Sequence, residues 1–596
     1  MMTFTEFQIN DKRGNELKHR SRISNYDKYP VIPLNGFDKE IFTSYEEIGK
    51  ELLSRKGNVY VVDCYPGVDE EEVLKNLEKE LAPELVLHSD DIFYDGQTLT
   101  KMMMPHLTDD RVMGVMYYGK ILDFVDEKAL IEMQKRLEGA KDKRVLVYGF
   151  GASLISRGDI LIYADLSRWE IQLRYRKGMP NFKQTNYDED NLGKYKRGYF
   201  IEWRIADKHK RGLFSKADYW LDTNKSNAPA MITKGAFQEA MSQAVRRPFR
   251  TVPYFDPGVW GGQWMKEVCD LDRGKKNFAW SFDGVPEENS VLFGIGENIF
   301  ECPAMNITLS HPLELLGDRV YARFGAEFPI RFDFLDTVEG ENLSLQVHPT
   351  ADFIKENYGM PFTQEESYYI LDAGENAQIY LGVQNDVDIN DMFSELKEAQ
   401  RGEKSFPAEK YINIIDVKSH DHILIPPGTV HCSGSNCMVL EISSSAYIFT
   451  FKLWDWDRLG LDGLPRPIYL DEGRQVLNSR YNTDFVMNEL VNQFKTVHRE
   501  EGYLNEKTGL HPLEFIETLR HTFTKPVTLE IDNNVRMLNL VEGDEITIYS
   551  PCNEFQPYIV HYAETFIIPA GVSSITMAPS GKSKHKGVKV LEAYVR

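Results

Sequence analysis

Cysteine is scarce in this chain: six residues, Cys64, Cys269, Cys302, Cys432, Cys437 and Cys552, are spread over 596 positions. So sparse a set excludes a disulfide framework. Cys432 and Cys437 flank a turn, but their spacing fits a metal site only loosely, and small buried thiols explain them as well. Basic charge is in deficit too, with 69 Lys and Arg against 91 Asp and Glu and a formal net charge of -22. No cationic surplus exists to neutralise phosphates, which argues against nucleic acid and anionic membrane as partners. Any phosphate site must be local. Long apolar runs are also missing: no stretch approaches a membrane span, and residues 1–36 are polar with no apolar leader segment. A cytoplasmic protein of three or four domains is expected, at roughly 150 residues per domain. Nothing in the sequence specifies an oligomeric state.

The amino-terminal part follows an α/β rhythm. After a weakly patterned lead-in (1–33), Ser44 to Arg55 has the apolar spacing of an amphipathic helix, and Asn58 to Asp63 reads as a buried strand. Arg144 to Gly149 and Ile160 to Asp165 read as further strands, with helical segments between, including Tyr118 to Glu138. A parallel sheet over 34–245 is expected. The run Cys64-Tyr65-Pro66-Gly67-Val68-Asp69-Glu70-Glu71 sits where a nucleotide-binding phosphate loop would sit, but Glu70 and Glu71 occupy the lysine and hydroxyl places. Two carboxylates repel phosphate. His88 to Asp95 is similar to the DD-F-Y region of small-molecule kinases, so the segment resembles a nucleoside-kinase-like domain that has lost its phosphate loop; an unrelated α/β scaffold is the alternative. Nucleotide binding is not expected. The basic residues Arg174, Arg176, Lys177, Lys194, Lys196 and Arg197 resemble a kinase lid or form a solvated helix face.

Beyond Arg246-Arg247-Pro248 strands dominate and turn signals come at short intervals, as in jelly-roll barrels. Leu343 to Pro349 alternates with a period of two: Leu343, Leu345 and Val347 face one side, Ser344, Gln346 and His348 the other. Polar side chains on an inner barrel face need partners, which a metal or sugar supplies. Gln364 to Leu371 is a second strand with Glu366 near its start; His422 to His431 is a strand, a Pro-Gly turn and an imidazole. Gln346, His348, Glu366 and His431 make one oxygen-and-nitrogen ligand set.

In order, QVHP, E-x-Y-Y-I, PPGTVH and Phe449 to Arg458 (FTFKLWDWDR) resemble the metal-binding core of class I mannose-6-phosphate isomerases, which are cupins. Val259-Trp260-Gly261-Gly262 and Phe328 to Val338 match earlier elements of that family, so the resemblance runs from about residue 250 to the end. It implies a multi-domain chain: the α/β domain (34–245), a metal-binding cupin barrel (246–470) with helical insertions at Ala351 to Tyr358 and Asp388 to Gln400, and a segment over 471–596. That last segment begins with a helical block, Gly473 to Phe494, and continues as a second barrel. Its Phe566 to Val572 echoes ILIPPGTVH without the histidine, so no metal is expected there.

The resemblance assigns Gln346, His348, Glu366 and His431 to one Zn²⁺ or another divalent ion. It assigns Ser344, Gln364 and Arg458 to the substrate, and Glu441 and Lys452 to catalysis. The implied reaction interconverts mannose 6-phosphate and fructose 6-phosphate by proton transfer through an enediolate, whose oxygen charge a metal stabilises as a Lewis acid. The base stays open among Glu441, Lys452 and a metal-bound water. Two departures bear on substrate. Lys452 stands where the family has arginine, losing the planar fork. Gln364 stands where the family has a phosphate-binding lysine, and Arg458 or Lys266 are the cations available to compensate. The alternatives are an isomerase of an unphosphorylated aldose such as mannose, a sugar-binding regulatory protein without turnover, and an iron-dependent cupin oxygenase, whose His-x-His is broken here by Gln346.

Overall fold

The computed structural model describes residues 22–444, 448–509 and 511–596. The chain forms two compact units. One comprises Pro30–Ala244 with Pro286–Pro312; the other comprises Val245–Val285 and Leu313–Arg596, with 22–29 from the amino-terminal side.

In the first unit, five parallel strands lie in the order Leu85–His88, Val145–Gly149, Val59–Cys64, Ile160–Asp165, Tyr219–Asp222. Ala230–Thr233 and Ile41–Phe42 extend the sheet antiparallel. The two central strands are buried almost throughout, as a sheet covered on both faces requires. Tyr45–Ser54 starts as a helix because the Ser44 side chain accepts from the Glu47 amide. Glu70–Leu81 is capped likewise by Asp69 and buries Val73, Leu77 and Leu81 along one stripe.

The sequence predicts a helix from Tyr118; a short 3₁₀ turn, Ile121–Phe124, comes first, and the α-helix runs only over Glu127–Glu138. Asp126 accepts from the Lys128 and Ala129 amides and so fixes the start. A larger difference concerns 286–312, read from sequence as barrel. Its hairpin, Ser290–Ile295 with Asn298–Pro303, pairs in parallel with Val31–Pro33 and belongs to the first unit. The Asn306 amide reaches Asp165 at 2.9 Å, and the Glu301 amide reaches Asp222 at 3.1 Å. A hairpin has the same alternation whichever sheet it joins, so spacing cannot reveal its host.

The second unit holds two antiparallel barrels. A six-stranded sheet (Tyr254–Asp256, Trp280–Gly284, Arg331–Asp336, Cys437–Ser443, Glu366–Ala373, His422–Ile425) faces a five-stranded one (Leu345–Val347, Gln378–Val383, Ile412–Asp416, His431–Ser433, Phe451–Trp454). The helices Ala351–Tyr358 and Ile389–Gln400 interrupt this barrel. The expected long helix over 473–494 is broken into Leu470–Val476 and short turns over Thr483–Leu490, because Asn478 and Asn482 bond local backbone amides instead. Gly473 lies against Leu453 and Val347, so the apolar side of the Leu345–Val347 strand is covered by this helix.

The second barrel pairs six strands from Lys495–Glu500 to Val588–Val595 with four more. Leu538, Leu540, Ile546, Ile548, Phe566, Ile568, Val588 and Val590 fill it. Among the described residues no helix is long and apolar enough to cross a membrane.

Candidate metal centre

Alternation along Leu345–Val347 places Gln346 on the inner face, with His348 directly after the strand. Gln346 faces His431 across the ladder, and their side chains approach to 3.3 Å. Glu366 opens the strand Glu366–Ala373. The turn before His431 is shaped by Gly428 at φ +87°, whose amide donates to the His348 carbonyl. An added Cβ there would stand 2.7 Å from the Val476 carbonyl oxygen.

His348 Nε2 lies 2.5 Å from one Glu366 oxygen, and His431 Nε2 lies 3.6 Å from the other. Ligand atoms of His348, Glu366 and His431 all fall within 4.8 Å of one another, the one such group of His, Cys, Asp and Glu among the described residues. Each imidazole is oriented from behind: His348 Nδ1 meets the Phe449 carbonyl at 3.2 Å and His431 Nδ1 meets the Thr429 carbonyl at 2.9 Å. If Nδ1 donates, Nε2 presents its lone pair inward. All three residues are essentially inaccessible, and Glu366 Oε1 has no hydrogen-bond donor. Burial would raise the Glu366 carboxyl, but the two imidazoles outweigh it and hold the group well below the usual carboxylate range. Two imidazoles, a carboxylate and an amide fit a divalent cation of the borderline class.

Around this set lie two further ionisable groups. Glu441 sits opposite Tyr368 and Asp333 on the inner face, and burial, then the Glu366 and Asp333 charges, push its carboxyl well above its ordinary value. Lys452 stands opposite Gln346 on the neighbouring strand; burial, then the Arg466 guanidinium, push its ammonium down to about 7. Gln364 is buried and donates through Nε2 to Glu366 at 3.2 Å and to Glu441 at 3.4 Å. Ser344 Oγ donates to Asp455 at 2.6 Å, and Arg458 also grips Asp455 at 2.9 Å.

The structure thus brings together Gln346, His348, Glu366, His431, Gln364, Glu441 and Lys452, with Ser344 and Arg458 one step along the strand. Lys266 does not join them: its ammonium donates to the Lys276 carbonyl at 2.9 Å. Sequence reasoning missed Arg466, whose guanidinium reaches Ser344 Oγ at 3.2 Å and Asp455 at 3.1 Å. It also missed Arg331 and Asp333, although their alternation with Phe332 and Phe334 signals an inner face.

In the first unit the Glu70 carboxylate accepts from the Phe150 amide at 3.1 Å and pairs with His88 at 2.8 Å. These partners stand where the parallel strands end, the usual ligand crevice of such sheets. Of the basic residues after Ser167, Arg176 and Lys177 are exposed, while Arg174, Lys194, Lys196 and Arg197 are buried and do not form a solvated face. Arg174 donates to the Gly67 carbonyl at 2.9 Å, Lys194 to that of Tyr187 at 2.7 Å, Lys196 to that of Asp110, and Arg197 pairs with Glu202 at 2.7 Å.

Comparison with known proteins finds a family model described as "Domain of unknown function (DUF8485)" matching residues 44–246. The chain is 24% identical to mannose-6-phosphate isomerase ManA of Bacillus subtilis over 293 residues, 49% of this chain and 84% of that one. It is also 24% identical to mannose-6-phosphate isomerase of Streptococcus mutans over 224 residues, 37% of this chain and 64% of that one. Among solved structures, the mannose 6-phosphate isomerase from Bacillus subtilis aligns with a TM-score of 0.46 and 19% identity, covering 58% of this chain and 99% of that one.

Proposed function

We propose that the second unit is a metal-dependent aldose-ketose isomerase acting on mannose 6-phosphate. The observation that carries this reading is the convergence of His348, Glu366 and His431 inside a barrel, beside a buried acid and a half-buried amine. The relatives the chain resembles are mannose-6-phosphate isomerases, which supports the same chemistry.

Gln346, His348, Glu366 and His431 would hold the ion, with zinc as the first candidate. A divalent ion there supplies positive charge beside the substrate oxygen on which negative charge gathers. The chain's own groups divide the proton work. An amine with its pKa near 7 is half neutral at neutral pH, so Lys452 is suited to take the proton from the carbon next to the carbonyl and to return it to the former carbonyl carbon. Glu441, whose carboxyl burial pushes well above its ordinary value, is suited to give a proton to the carbonyl oxygen and to take one from the neighbouring hydroxyl as the double bond shifts. Gln364 orients Glu366 and Glu441, and burial of the set keeps bulk water from competing.

The test is conversion of mannose 6-phosphate and of free mannose by zinc-loaded protein, with a chelator as control. Chelator-sensitive conversion of the phosphorylated sugar is expected, and Lys452→Met and Glu441→Gln should each lower kcat by about 10²–10⁴. Conversion indifferent to chelator, or unaffected by both substitutions, would overturn the reading. One observation favours free aldose as a second reading: the amide of Gln364 is spent on two carboxylates, leaving no cation at that place. Faster turnover of free mannose would select it.

For the first unit we propose a nucleotide-free scaffold, a kinase-like sheet whose crevice is filled by its own Glu70 and His88.

A further inference from the structure

The second barrel divides into a packed half and a polar half. Phe523, Leu538, Leu540, Val588 and Val590 belong to its apolar core. Strand pairing sets Phe523 opposite Val588, His521 opposite Val590, Leu519 opposite Glu592 and Glu517 opposite Tyr594. Residues two apart on a strand share a face, so these side chains continue the inner row beyond the core. Asn505 stands opposite His521 and Arg536 opposite Tyr594, which adds both to that row.

One chain of bonds crosses four strands of this face. The Tyr503 hydroxyl meets His521 Nδ1 at 2.9 Å, His521 Nε2 meets Glu592 at 2.7 Å, and Arg536 reaches the other Glu592 oxygen at 3.2 Å. The Arg536 guanidinium also lies 4.2 Å from the centre of the Tyr594 ring, and Lys507 pairs with Glu517 at 2.6 Å. Three atoms are left over: Asn505 Oδ1, Glu517 Oε1 and Arg536 Nε are buried without a hydrogen-bond partner, in residues 9% exposed or less. A buried polar atom ordinarily has a partner, and exchanging a buried ion pair for packed apolar side chains is often neutral or stabilising. The other half of the barrel is packed in that way, so stability alone does not account for the polar half.

Solvent reaches this face. Among the described residues, Lys495–Glu500 and Val527–Glu530 are edge strands of the barrel's two sheets, each paired on one side only. All six residues of Lys495–Glu500 are exposed, whichever way they point, and Lys507, Leu519 and Tyr594 are half-buried. A strand sealed into a closed barrel would bury its inner row.

Charge and donor pattern select the ligand. Lys507 balances Glu517 and Arg536 balances Glu592, so no cation is left for a phosphate and two carboxylates would repel one. Two open acceptors and one open donor suit hydroxyl groups, which both give and take hydrogen bonds. The Tyr594 ring adds an apolar wall for carbon-bound hydrogens. We infer that the second barrel binds a neutral polyol, a free hexose or hexitol, through Asn505, Glu517 and Arg536, at a site separate from the metal centre. It stands or falls apart from the isomerase reading, because none of these residues belongs to the metal centre.

The experiment is calorimetric titration of the full chain with methyl α-mannopyranoside, whose blocked anomeric carbon keeps the ring closed, and with mannose 6-phosphate as the charged comparator. Titrations on His348→Ala, in which the metal centre is broken, isolate the second barrel. Saturable binding of the glycoside, at roughly millimolar or tighter, is expected in the parent and in His348→Ala alike. Asn505→Leu, added to His348→Ala, should weaken it roughly tenfold, the worth of one hydrogen bond. Leu519→Trp in the same background should abolish it by laying an indole across the face. Leu519 is half-buried, so the melting curve should stay in place, and this variant decides the matter if Asn505→Leu fails to fold. Mannose 6-phosphate should bind His348→Ala at least about tenfold more weakly than the glycoside, for want of a free cation. No saturable glycoside binding in His348→Ala, binding there that neither substitution weakens, or tighter binding of the phosphorylated sugar overturns the inference. If the parent isomerises no sugar while His348→Ala binds the glycoside through Asn505, the isomerase reading fails and the second site stands; the reverse pattern removes the second site alone.

Discussion

Replacing Gln364 by Leu removes the amide that joins two carboxylates beside the metal ligands, at nearly constant volume. The wild-type Nε2 donates to Glu366 at 3.2 Å and to Glu441 at 3.4 Å, and the residue is almost fully buried, so water cannot take over either bond. The Glu366 carboxylate is held well below its ordinary range, and a hydrogen bond to a charged group is worth about 1.5–3 kcal/mol; the Glu441 carboxyl is pushed well above its ordinary value by burial, and the longer bond to it counts for less. The loss at Glu366 falls on the ligand that faces both imidazoles. Metal affinity should therefore drop about 10–100-fold, the range for a partner standing behind a metal ligand. In free energy this is about 1.4–2.8 kcal/mol, in line with the single lost donation. Competition for zinc against a chromophoric chelator measures it, with circular dichroism to confirm the fold. Zinc affinity within threefold of the parent, together with lost preference for the phosphorylated sugar, would refute this reasoning and make Gln364 a substrate contact.

Other consequences can be checked independently. His422 is fully buried, neither ring nitrogen has a hydrogen-bond partner, and burial, then the Arg520 charge, push its pKa down to about 3. The folded state therefore refuses a proton that the unfolded chain takes up at about 6.5, so this residue's share of stability is intact above that pH and is lost as pH falls toward 3. His422→Leu should flatten the fall in unfolding free energy between pH 7 and pH 5 by about 2 kcal/mol, measured by urea titration; an unchanged slope would show that the imidazole is protonated in place. Gly428→Ala forces a side chain into the left-handed region and against the Val476 carbonyl, so a loss of about 1–3 kcal/mol is expected in the same titration, with weaker zinc binding through His431. ATP titrated calorimetrically should give no saturable heat, since the Glu70 carboxylate already takes the Phe150 amide; saturation at micromolar ATP would contradict that account.

Much of the metal site is legible in the sequence because its residues announce themselves through strand periodicity. Gln346 and His348 alternate with buried Leu345 and Val347, Glu366 opens a strand, and His431 follows a Pro-Gly turn that only glycine completes. Asp455 and Arg466 are harder to find. They sit in an irregular stretch after Trp454, where no period says which side chain turns inward. The helix from Asp126 starts later than its apolar spacing suggests because a cap, rather than a stripe, decides the first turn. Placement of 286–312 was illegible for a different reason: pairing partners far apart in sequence leave no local mark.

That excursion also says something about how the chain is made and shortened. The first unit draws its last two strands and the helix Met305–Ser310 from beyond the first strands of the second unit, and Asn306 completes the bonding of Asp165. On the ribosome, the first unit cannot finish folding until some seventy residues past Ala244 have emerged, by which time part of its neighbour is already waiting. A gene cut at residue 245 would leave the Val31–Pro33 strand without its partner and Asp165 without its amide. The two units are therefore interlaced in the order of synthesis, unlike two proteins joined end to end.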